Sequence, residues 1–456
     1  MKKEIIKKTV LLFVVVSFLC MGITSVIGNN NHRIYDRKIQ SEIGNKDLQI
    51  EEELTNIQVI SLKQIIFEKL IVILMKLANL PAMSAAIVKN NNCTWSEGFG
   101  LYNIENNQQA TDETIYIVAS ISKTFTATAI MQLYEKGLFE LDDDVNDYLP
   151  FSLRNPKYPD EKITFRMLLA HQSSIAQDIP TFFTTLMPGS IEIVGYPDPF
   201  LRDYLVPGGI HYKSHVWNDY LPGEDMYYAN IGYAILGYLV EILSNESFED
   251  YCIENIFEPL EMKNSSFILT KLNISQIAVP YDYIYGKYYP YLHYRILDYP
   301  AGGLRTTIKD LSNFLITIIN DGVYGQTRIL TENSIQEMHK VQYPSNNYGF
   351  QYGLGWQIWE QSDDIKIGHT GGLYGVTTKM VFRKSDETGV IFFLNKYLKT
   401  VRDIVAYSLI EQLLFWKASS FDSKEIQEPT IRQTINSNQH IKNIYNIQKI
   451  FLYNYL

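Results

Sequence analysis

The stretch Ser120-Ile121-Ser122-Lys123 decides how this chain is interpreted, because it sets a hydroxyl and an amine three residues apart. No other serine among the 456 residues is followed by a lysine at this distance. On a helix the two side chains share a face one turn apart, so the amine can reach the hydroxyl. A serine hydroxyl is a poor nucleophile until a base takes its proton. The stretch therefore predicts a nucleophile at Ser120 and its base at Lys123.

Lys123 can act as a base only if its surroundings lower its pKa. A free lysine titrates near ~10.4 and is protonated at neutral pH. Burial among the apolar residues around it would remove that proton more easily. We expect one helix from about Ser120 to Lys136, ended by Gly137. Its first N–H groups would then lie near the negative charge that develops during attack.

Two further motifs, Tyr228-Ala229-Asn230 and His369-Thr370-Gly371, also occur once each. They lie so far from Ser120 along the chain that only a folded domain can bring the three together. The hydroxyl of Tyr228 can carry the serine proton to a leaving group, and Asn230 can hydrogen-bond both Lys123 and a substrate carbonyl.

The third motif would lie on a strand edge beside the cleft. Gly371 and Gly372 let the backbone approach a substrate closely. The N–H of Gly372 and the N–H of Ser120 would together form an oxyanion hole. We therefore predict substrate-binding or oxyanion roles for Asn230, His369, Thr370, Gly371 and Gly372.

In these motifs the chain resembles the serine β-lactamase-related family, especially the branch that contains class C β-lactamases, DD-peptidases and esterases. The resemblance covers about residues 60–415, and the segments that support it are Pro81–Val88, Leu168–Ser174, Pro222-Gly223, Phe257–Leu260 and Pro300–Leu304. It implies that Ser120 is acylated, that Lys123 is the base, and that Tyr228 is its partner. It also implies a β-lactamase/transpeptidase-like α+β fold, with an antiparallel sheet flanked by helices and a helical subdomain.

The chain departs from the family pattern at two positions. His369 begins the third motif where β-lactamases carry lysine, and Ser174 follows Ser173 where glycine is usual. An imidazole is mostly neutral at pH 7 and would hold a substrate carboxylate less firmly than an ammonium. We therefore expect ester or peptide substrates in preference to β-lactams, and only a structural change at Ser174.

Strand-like segments occur at both ends of the domain, around a helical middle. The predicted strands are Met83–Lys89, Thr94–Tyr102, Ile365–His369, Thr377–Arg383 and Gly389–Leu394. The other predicted helices are Leu62–Leu77, Arg166–Ala170, Ile231–Leu243, Lys309–Asn320 and Leu398–Trp416. Strands from both ends around a helical middle predict one mixed sheet closed by the two termini. Two irregular stretches rich in aromatic residues, 176–222 and 281–299, either cover a binding cleft or are plain surface insertions.

The N-terminal residues have the composition of an export signal. Four lysines within the first eight residues precede an apolar run from Val10 to Ile27. We predict a signal peptide or signal anchor at 1–28, a flexible spacer at 29–57, the hydrolase domain at 58–417 and a polar tail at 418–456. The protein would be extracytoplasmic, either secreted or held at a membrane by the N-terminal segment.

Several other classes of function have little support in the sequence. The net charge is −10 and no basic patch interleaved with aromatics occurs, so nucleic acid is not an expected partner. His211 and His215 lie in a loop bounded by proline and glycine, and we expect no metal and no organic cofactor. The expected partner is a small-molecule or peptide substrate. Two alternatives stay open: a binding or sensor protein that uses the same cleft without turnover, and a DD-carboxypeptidase.

Overall fold

A computed structural model describes residues 63–176, 186–188, 198–342, 350–361 and 364–420. These residues divide into two compact units. One contains residues 63–73 and 400–406, two helical segments in which Gln64 donates a hydrogen bond to Glu68. The other contains residues 74–399 and 407–420 and carries the sheet and the candidate site.

The main feature of the larger unit is a sheet of eight strands whose first strand pairs with its last. Met83 of the first lies opposite Leu394 of the last, so the two ends of the domain meet in the middle of the sheet. In spatial order the strands are β12 (Gln351–Tyr352), β13 (Gln357–Gln361), β14 (Asp364–Leu373), β15 (Val376–Arg383), β16 (Gly389–Leu394), β1 (Ala82–Lys89), β2 (Asn92–Asn103) and β3 (Gln108–Gln109).

Every pairing in this sheet is antiparallel. The suggestion of a mixed sheet is therefore wrong, whereas the predicted antiparallel sheet is confirmed. The five strands predicted at the two ends of the domain are all present. The remaining strands are short and pair in twos: β4 (Tyr116–Ile117) with β9 (Arg305–Thr306), β5 (Leu186–Pro188) with β8 (Tyr294–Ile296), β6 (Tyr281–Ile284) with β7 (Lys287–Pro290), and β10 (Val323–Tyr324) with β11 (Thr327–Arg328).

The predicted helices are also present, with shifted ends. Their observed bounds, with the short helices that were not predicted, are α1 (63–77), α2 (Ser122–Glu135), α3 (Phe165–Leu169), α4 (Asp198–Leu205), α5 (Asn230–Ser244), α6 (Phe248–Cys252), α7 (Tyr299–Gly302), α8 (Ile308–Ile319), α9 (Glu332–Met338) and α10 (Val401–Ser420). The prediction that α2 begins at Ser120 is wrong, because Ala119–Ile121 form a separate 3₁₀ turn before it. Gly137, with a φ of +71°, follows the end of α2 as expected.

Helix α2 lies in the centre of the helical part of the larger unit. All its residues from Ser122 to Leu133 are buried, so it has no polar face towards solvent. Phe125 stacks on Phe314 of α8 with ring centroids 4.0 Å apart and meets Phe257 edge-on at 5.8 Å. A helix surrounded in this way holds the residues at its N-terminal end in one position, because core side chains leave little free volume.

Several predictions fall on residues outside the described ranges. They are the leader, the spacer, nearly all of the C-terminal tail, and parts of the 176–222 stretch. The 281–299 stretch is described and forms β6, β7 and β8 rather than an irregular loop. None of the helices described is both long enough and apolar enough to cross a membrane.

Candidate active site

The candidate nucleophile lies on the 3₁₀ turn Ala119–Ile121, which we call the nucleophile turn. Ala119 has a φ of +50°, a left-handed conformation that costs a residue with a Cβ about 1–2 kcal/mol. Hydrogen bonds hold the turn in this form. The hydroxyl of Ser122 donates to the Ala119 carbonyl at 2.7 Å and accepts the N–H of Leu304 at 3.0 Å. Ser120 is thereby presented half-buried at the start of α2.

The side chain of Lys123 is completely buried and reaches back to the nucleophile. Its Nζ lies 3.1 Å from Ser120 Oγ and 2.6 Å from the carbonyl oxygen of Ala301. The rings of Tyr228 and Tyr233 are 5.0 and 5.6 Å away. Burial lowers the pKa of Lys123 to about 7, against the opposing attraction of Asp298. A neutral amine is therefore available near neutral pH to take the serine proton.

The segment that carries Tyr228 and Asn230 is held by a buried histidine. The Nδ1 of His171 accepts the N–H of Ala229 at 3.2 Å, and its carbonyl accepts the N–H of Tyr227 at 2.8 Å. The imidazole also packs on the Tyr228 ring, with centroids 4.2 Å apart. Tyr228 and Asn230, the first residue of α5, are both half-buried.

Gly371 allows the third motif to lie directly against the nucleophile turn. A Cβ at this position would be 2.4 Å from the Val118 carbonyl oxygen and 2.3 Å from Thr378 Oγ1. Real Cβ atoms do not approach other atoms so closely, so any other residue would push the strand away. Thr378 Oγ1 donates to the same Val118 carbonyl at 2.8 Å and fixes the contact. The requirement for glycine here is therefore steric.

The edge of β14 exposes a backbone donor beside this contact. The N–H of Thr370 donates to the side chain of Gln357 at 2.9 Å and so points away from β15. Pairing with β13 ends at Gly368, opposite Gln357. Alternate N–H groups of a strand point to the same edge, so the N–H of Gly372, which is exposed, points from the open part of this edge. This is the direction that an oxyanion donor needs.

His369 has no exposed surface, and both of its ring nitrogens already have partners. Nδ1 lies 2.6 Å from the Thr370 carbonyl oxygen, which can only accept, so Nδ1 carries the proton. Burial lowers the pKa of His369 to about 3, with a further contribution from Lys123, so the ring is neutral. Nε2 then accepts the hydroxyl of Tyr352 at 2.8 Å. This imidazole offers no donor to a substrate carboxylate.

The structure thus brings Ser120, Lys123, Tyr228 and the third motif together, as the spacing of the motifs led us to expect. Sequence reasoning missed Asp298, Tyr352 and Gln357. Only Asp298 had a signal in the sequence, because it lies just before the Pro300–Leu304 segment.

Among the described residues, no group of three or more His, Cys, Asp or Glu side chains is arranged to hold a metal ion. Cys93 and Cys252 are free thiols, the first exposed and the second buried.

Comparison with known proteins identifies the family to which the chain is similar. The family described as Beta-lactamase matches residues 67–414. Protein flp of Staphylococcus aureus strain MW2 is 24% identical to the chain over 336 residues, which is 72% of this chain. The match covers 62% of the length of that relative, so the chain spans less than two thirds of it.

Solved structures match over a similar part of the chain. The octameric penicillin-binding protein homologue from Pyrococcus abyssi has a TM-score of 0.60 and 27% identity, with 76% of each chain covered. The D-amino acid amidase from Ochrobactrum anthropi SV3 has a TM-score of 0.62, with 78% of this chain and 99% of that chain covered. Its sequence identity is 19%, so this likeness concerns the fold alone.

Proposed function

The chain belongs to the beta-lactamase family and has its fold, and on that premise we propose that it is a serine hydrolase acting through an acyl-Ser120 ester. The observation that carries the proposal is the pair formed by Ser120 and Lys123. A completely buried amine lies 3.1 Å from a serine hydroxyl, and burial lowers its pKa. A buried lysine without a carboxylate in hydrogen-bond contact is costly to a fold, and proton transfer from Ser120 explains why it is kept.

During acylation the proton of Ser120 would pass first to Lys123 and then through Tyr228 to the leaving group. Ser120 Oγ attacks the substrate carbonyl as its proton passes to the Nζ of Lys123. The N–H groups of Ser120 and Gly372 hold the oxyanion, a term worth about 2.7–4 kcal/mol per donor in other enzymes. Tyr228, whose ring lies 5.0 Å from Lys123 Nζ, relays the proton to the leaving group. Water then attacks the acyl ester, and the serine hydroxyl is regenerated.

The substrate would be an ester or amide that has no need of a carboxylate for binding. His369 is neutral and fully engaged with Tyr352 and Thr370, so it holds no anion. The surface next to Gly372 is aromatic instead. Tyr397, 44% exposed, has ring atoms 3.0 and 3.6 Å from where a Gly372 Cβ would lie. Tyr374 is exposed beside it and packs on Tyr291. These features favour a neutral substrate with an apolar or aromatic group.

The proposal is tested by following the intact mass of the protein with three probes: a p-nitrophenyl ester, phenylalanine amide and a penicillin. We expect an adduct on Ser120 that forms and decays with the ester, and no turnover of the penicillin. Ser120→Ala should abolish the adduct and the activity while the circular dichroism spectrum stays unchanged. Turnover retained in that variant would contradict the proposal.

The other outcomes separate the alternatives. A penicillin adduct that persists would favour a DD-carboxypeptidase, and one that decays would favour a β-lactamase. No adduct with any probe in the folded protein would favour a binding or sensor protein. We favour turnover because the nucleophile and base positions are both filled and in contact.

We also propose that residues 1–28 direct the chain out of the cytoplasm. The support is the cluster of four lysines followed by the apolar run from Val10 to Ile27. Fractionation of cells that express the full chain, followed by N-terminal sequencing, tests this. Recovery of the uncut chain from the soluble cytoplasmic fraction would overturn it.

A further inference from the structure

The described groups around Lys123 are neutral, with the exception of one carboxylate. The ammonium is in contact with the Ser120 hydroxyl, the Ala301 carbonyl and the faces of Tyr228 and Tyr233. The charge of Lys123 also acts on His171 and His369. Both imidazoles are neutral, because burial lowers their pKa values well below the usual range. Among the described residues, the one carboxylate that acts on Lys123 is Asp298.

Asp298 is a buried carboxylate that does not cap the helix it precedes. It is 3% exposed, and its Oδ1 has no hydrogen-bond partner among the described residues. It occupies the N-cap position of α7 (Tyr299–Gly302), yet its side chain makes no capping hydrogen bond. The side chain accepts a hydrogen bond from its own backbone N–H, which lowers its pKa, but a buried oxygen without a partner is still costly, because it loses its hydration without replacement. A cap or a structural salt bridge therefore does not explain its presence.

The position of Asp298 is fixed by the same turn that contacts Lys123. The carbonyl of Asp298 accepts the N–H of Ala301 at 2.8 Å, and the carbonyl of Ala301 accepts from Lys123 Nζ at 2.6 Å. One short helical turn thus carries both the carbonyl that Lys123 contacts and the carboxylate whose charge acts on it. The same short helix packs on the nucleophile turn, since a Cβ on Gly302 would lie 3.8 Å from the Ala119 carbonyl carbon.

We propose that Asp298 is a positioning residue that provides the counter-charge for the Lys123 ammonium formed when Ser120 is acylated. This inference rests on the proposed function, and it assigns to Asp298 an effect on the pH range in which Ser120 is acylated. As the Oγ–H bond of Ser120 breaks and the bond from Oγ to the acyl carbon forms, the proton goes to Lys123 Nζ. It leaves again with the departing group as the bond between that group and the acyl carbon breaks. Asp298 keeps its own charge throughout and stabilises the intermediate cation.

The sign of its effect on Lys123 follows from electrostatics. A carboxylate favours the ammonium and so raises the pKa of Lys123, against the larger lowering caused by burial. Without the carboxylate the amine would lose its proton at lower pH, but it would also be a weaker base. Burial raises the pKa of Asp298 above its ordinary value and the charge of Lys123 opposes that shift, so each group favours the charged form of the other.

The test compares Asp298→Asn, which keeps the shape and removes the charge, with the unaltered full-length protein. The rate of Ser120 acylation by the p-nitrophenyl ester is measured from pH 5 to pH 9. We expect the acid limb of the profile to move about one pH unit lower and the plateau rate to fall. Asp298→Glu, which restores the charge, should return the limb towards its original position. A role in folding alone would lower the plateau and leave the limb where it was, and that result would overturn the proposal.

A matched control removes another buried carboxylate outside the site. Glu249 accepts hydrogen bonds from Ser266 and from the N–H of Phe267. Glu249→Gln should affect stability without moving the acid limb. If Glu249→Gln moves the limb as far as Asp298→Asn does, the specific assignment to Asp298 is wrong.

A second measurement reads Lys123 without using catalysis. The protein is labelled with ¹³Cε-lysine and titrated by NMR, with Lys123→Arg used to assign the signal. Asp298→Asn should lower the titration midpoint of Lys123 by about one pH unit. An unmoved midpoint would overturn the inference, even in a protein that acylates normally. A protein that shows the shift but never acylates would retain the inference about the pair and lose the proposed function.

Discussion

Two buried lysines of this molecule have opposite surroundings. Among the described residues, Lys123 has only a hydroxyl, a carbonyl and aromatic faces in direct contact. Lys379 lies on β15 and donates to Glu411 of α10 at 2.5 Å, above the rings of Trp359 and Tyr407. Burial lowers the pKa of both amines, but Glu411 in direct contact opposes it at Lys379.

The alternation of the strand explains how one sheet holds both arrangements. Thr378 points to the nucleophile turn, where its hydroxyl donates to Val118. Lys379, the next residue, therefore points to the opposite face and to α10. The charge of Lys379 is neutralised by direct contact with Glu411, whereas the charge of Lys123 has no carboxylate in direct contact among the described residues. The difference indicates that burial alone does not turn a lysine into a base. The lysine must also be buried without a carboxylate in direct contact.

The largest expected effect is on acylation. Lys123→Met should reduce the rate of Ser120 acylation by at least about 10³-fold, because the serine then has no base. Lys379→Met, the same change on the other face, should leave the rate within about threefold. The measurement is the rate of p-nitrophenolate release in the first turnover. A mild loss in Lys123→Met would mean that another base operates, and the contrast between the two lysines would fail.

The same two variants should change stability in opposite directions. Lys123→Met should raise the free energy of unfolding at pH 7 by about 1–3 kcal/mol, because the fold no longer buries an amine without a contacting carboxylate. Asp298 then loses the cation that opposes the raising of its pKa by burial, so it takes up a proton and leaves no buried charge behind. Lys379→Met should lower it by about 1–3 kcal/mol, since Glu411 loses one of the two lysines that it contacts. Urea denaturation followed by tryptophan fluorescence measures both. Loss of stability in both variants would show that Lys123 is structural too.

The pH dependence of stability sharpens this contrast. In the unfolded chain Lys123 keeps its proton up to about its ordinary pKa of 10.5, whereas the folded protein releases it near 7. Between these values the unfolded state binds more protons, so the free energy of unfolding contributed by this group rises with pH. The advantage of Lys123→Met over the unaltered protein should therefore shrink as the pH goes from 7 to 10. A constant difference between their denaturation curves would contradict the lowered pKa.

Sequence patterns predicted the long elements of this fold because those elements carry a regular signal. The strand Gly389–Leu394 is an apolar run, and apolar residues recur at three and four positions along α1 (63–77). Strands of two residues, such as Gln108–Gln109, are too short to show any period.

The candidate site shows a similar limit. The motif predicted the contact of Ser120 with Lys123, but nothing in the sequence shows which carboxylate acts on Lys123 or on Lys379. The partners of the two amines, Asp298 and Glu411, lie far away in the chain, and only tertiary packing determines which lysine each one meets. The left-handed backbone at Ala119 is equally invisible, because alanine rarely adopts it.

The smallest expected effect concerns that backbone. Ala119 at φ +50° and Glu387 at φ +52° are both strained, but only Ala119 adjoins the nucleophile. Replacing either by glycine removes the clash of the Cβ and should stabilise the protein by up to about 1 kcal/mol. Ala119→Gly should in addition slow acylation several-fold, because the Ala119 Cβ packs near Gly371 and a freer turn holds Ser120 less firmly before Lys123. Glu387→Gly serves as the control and should leave acylation unchanged. Equal acylation rates in the two variants would mean that the strain at Ala119 is only tolerated by the fold and does not help to aim the serine at its base.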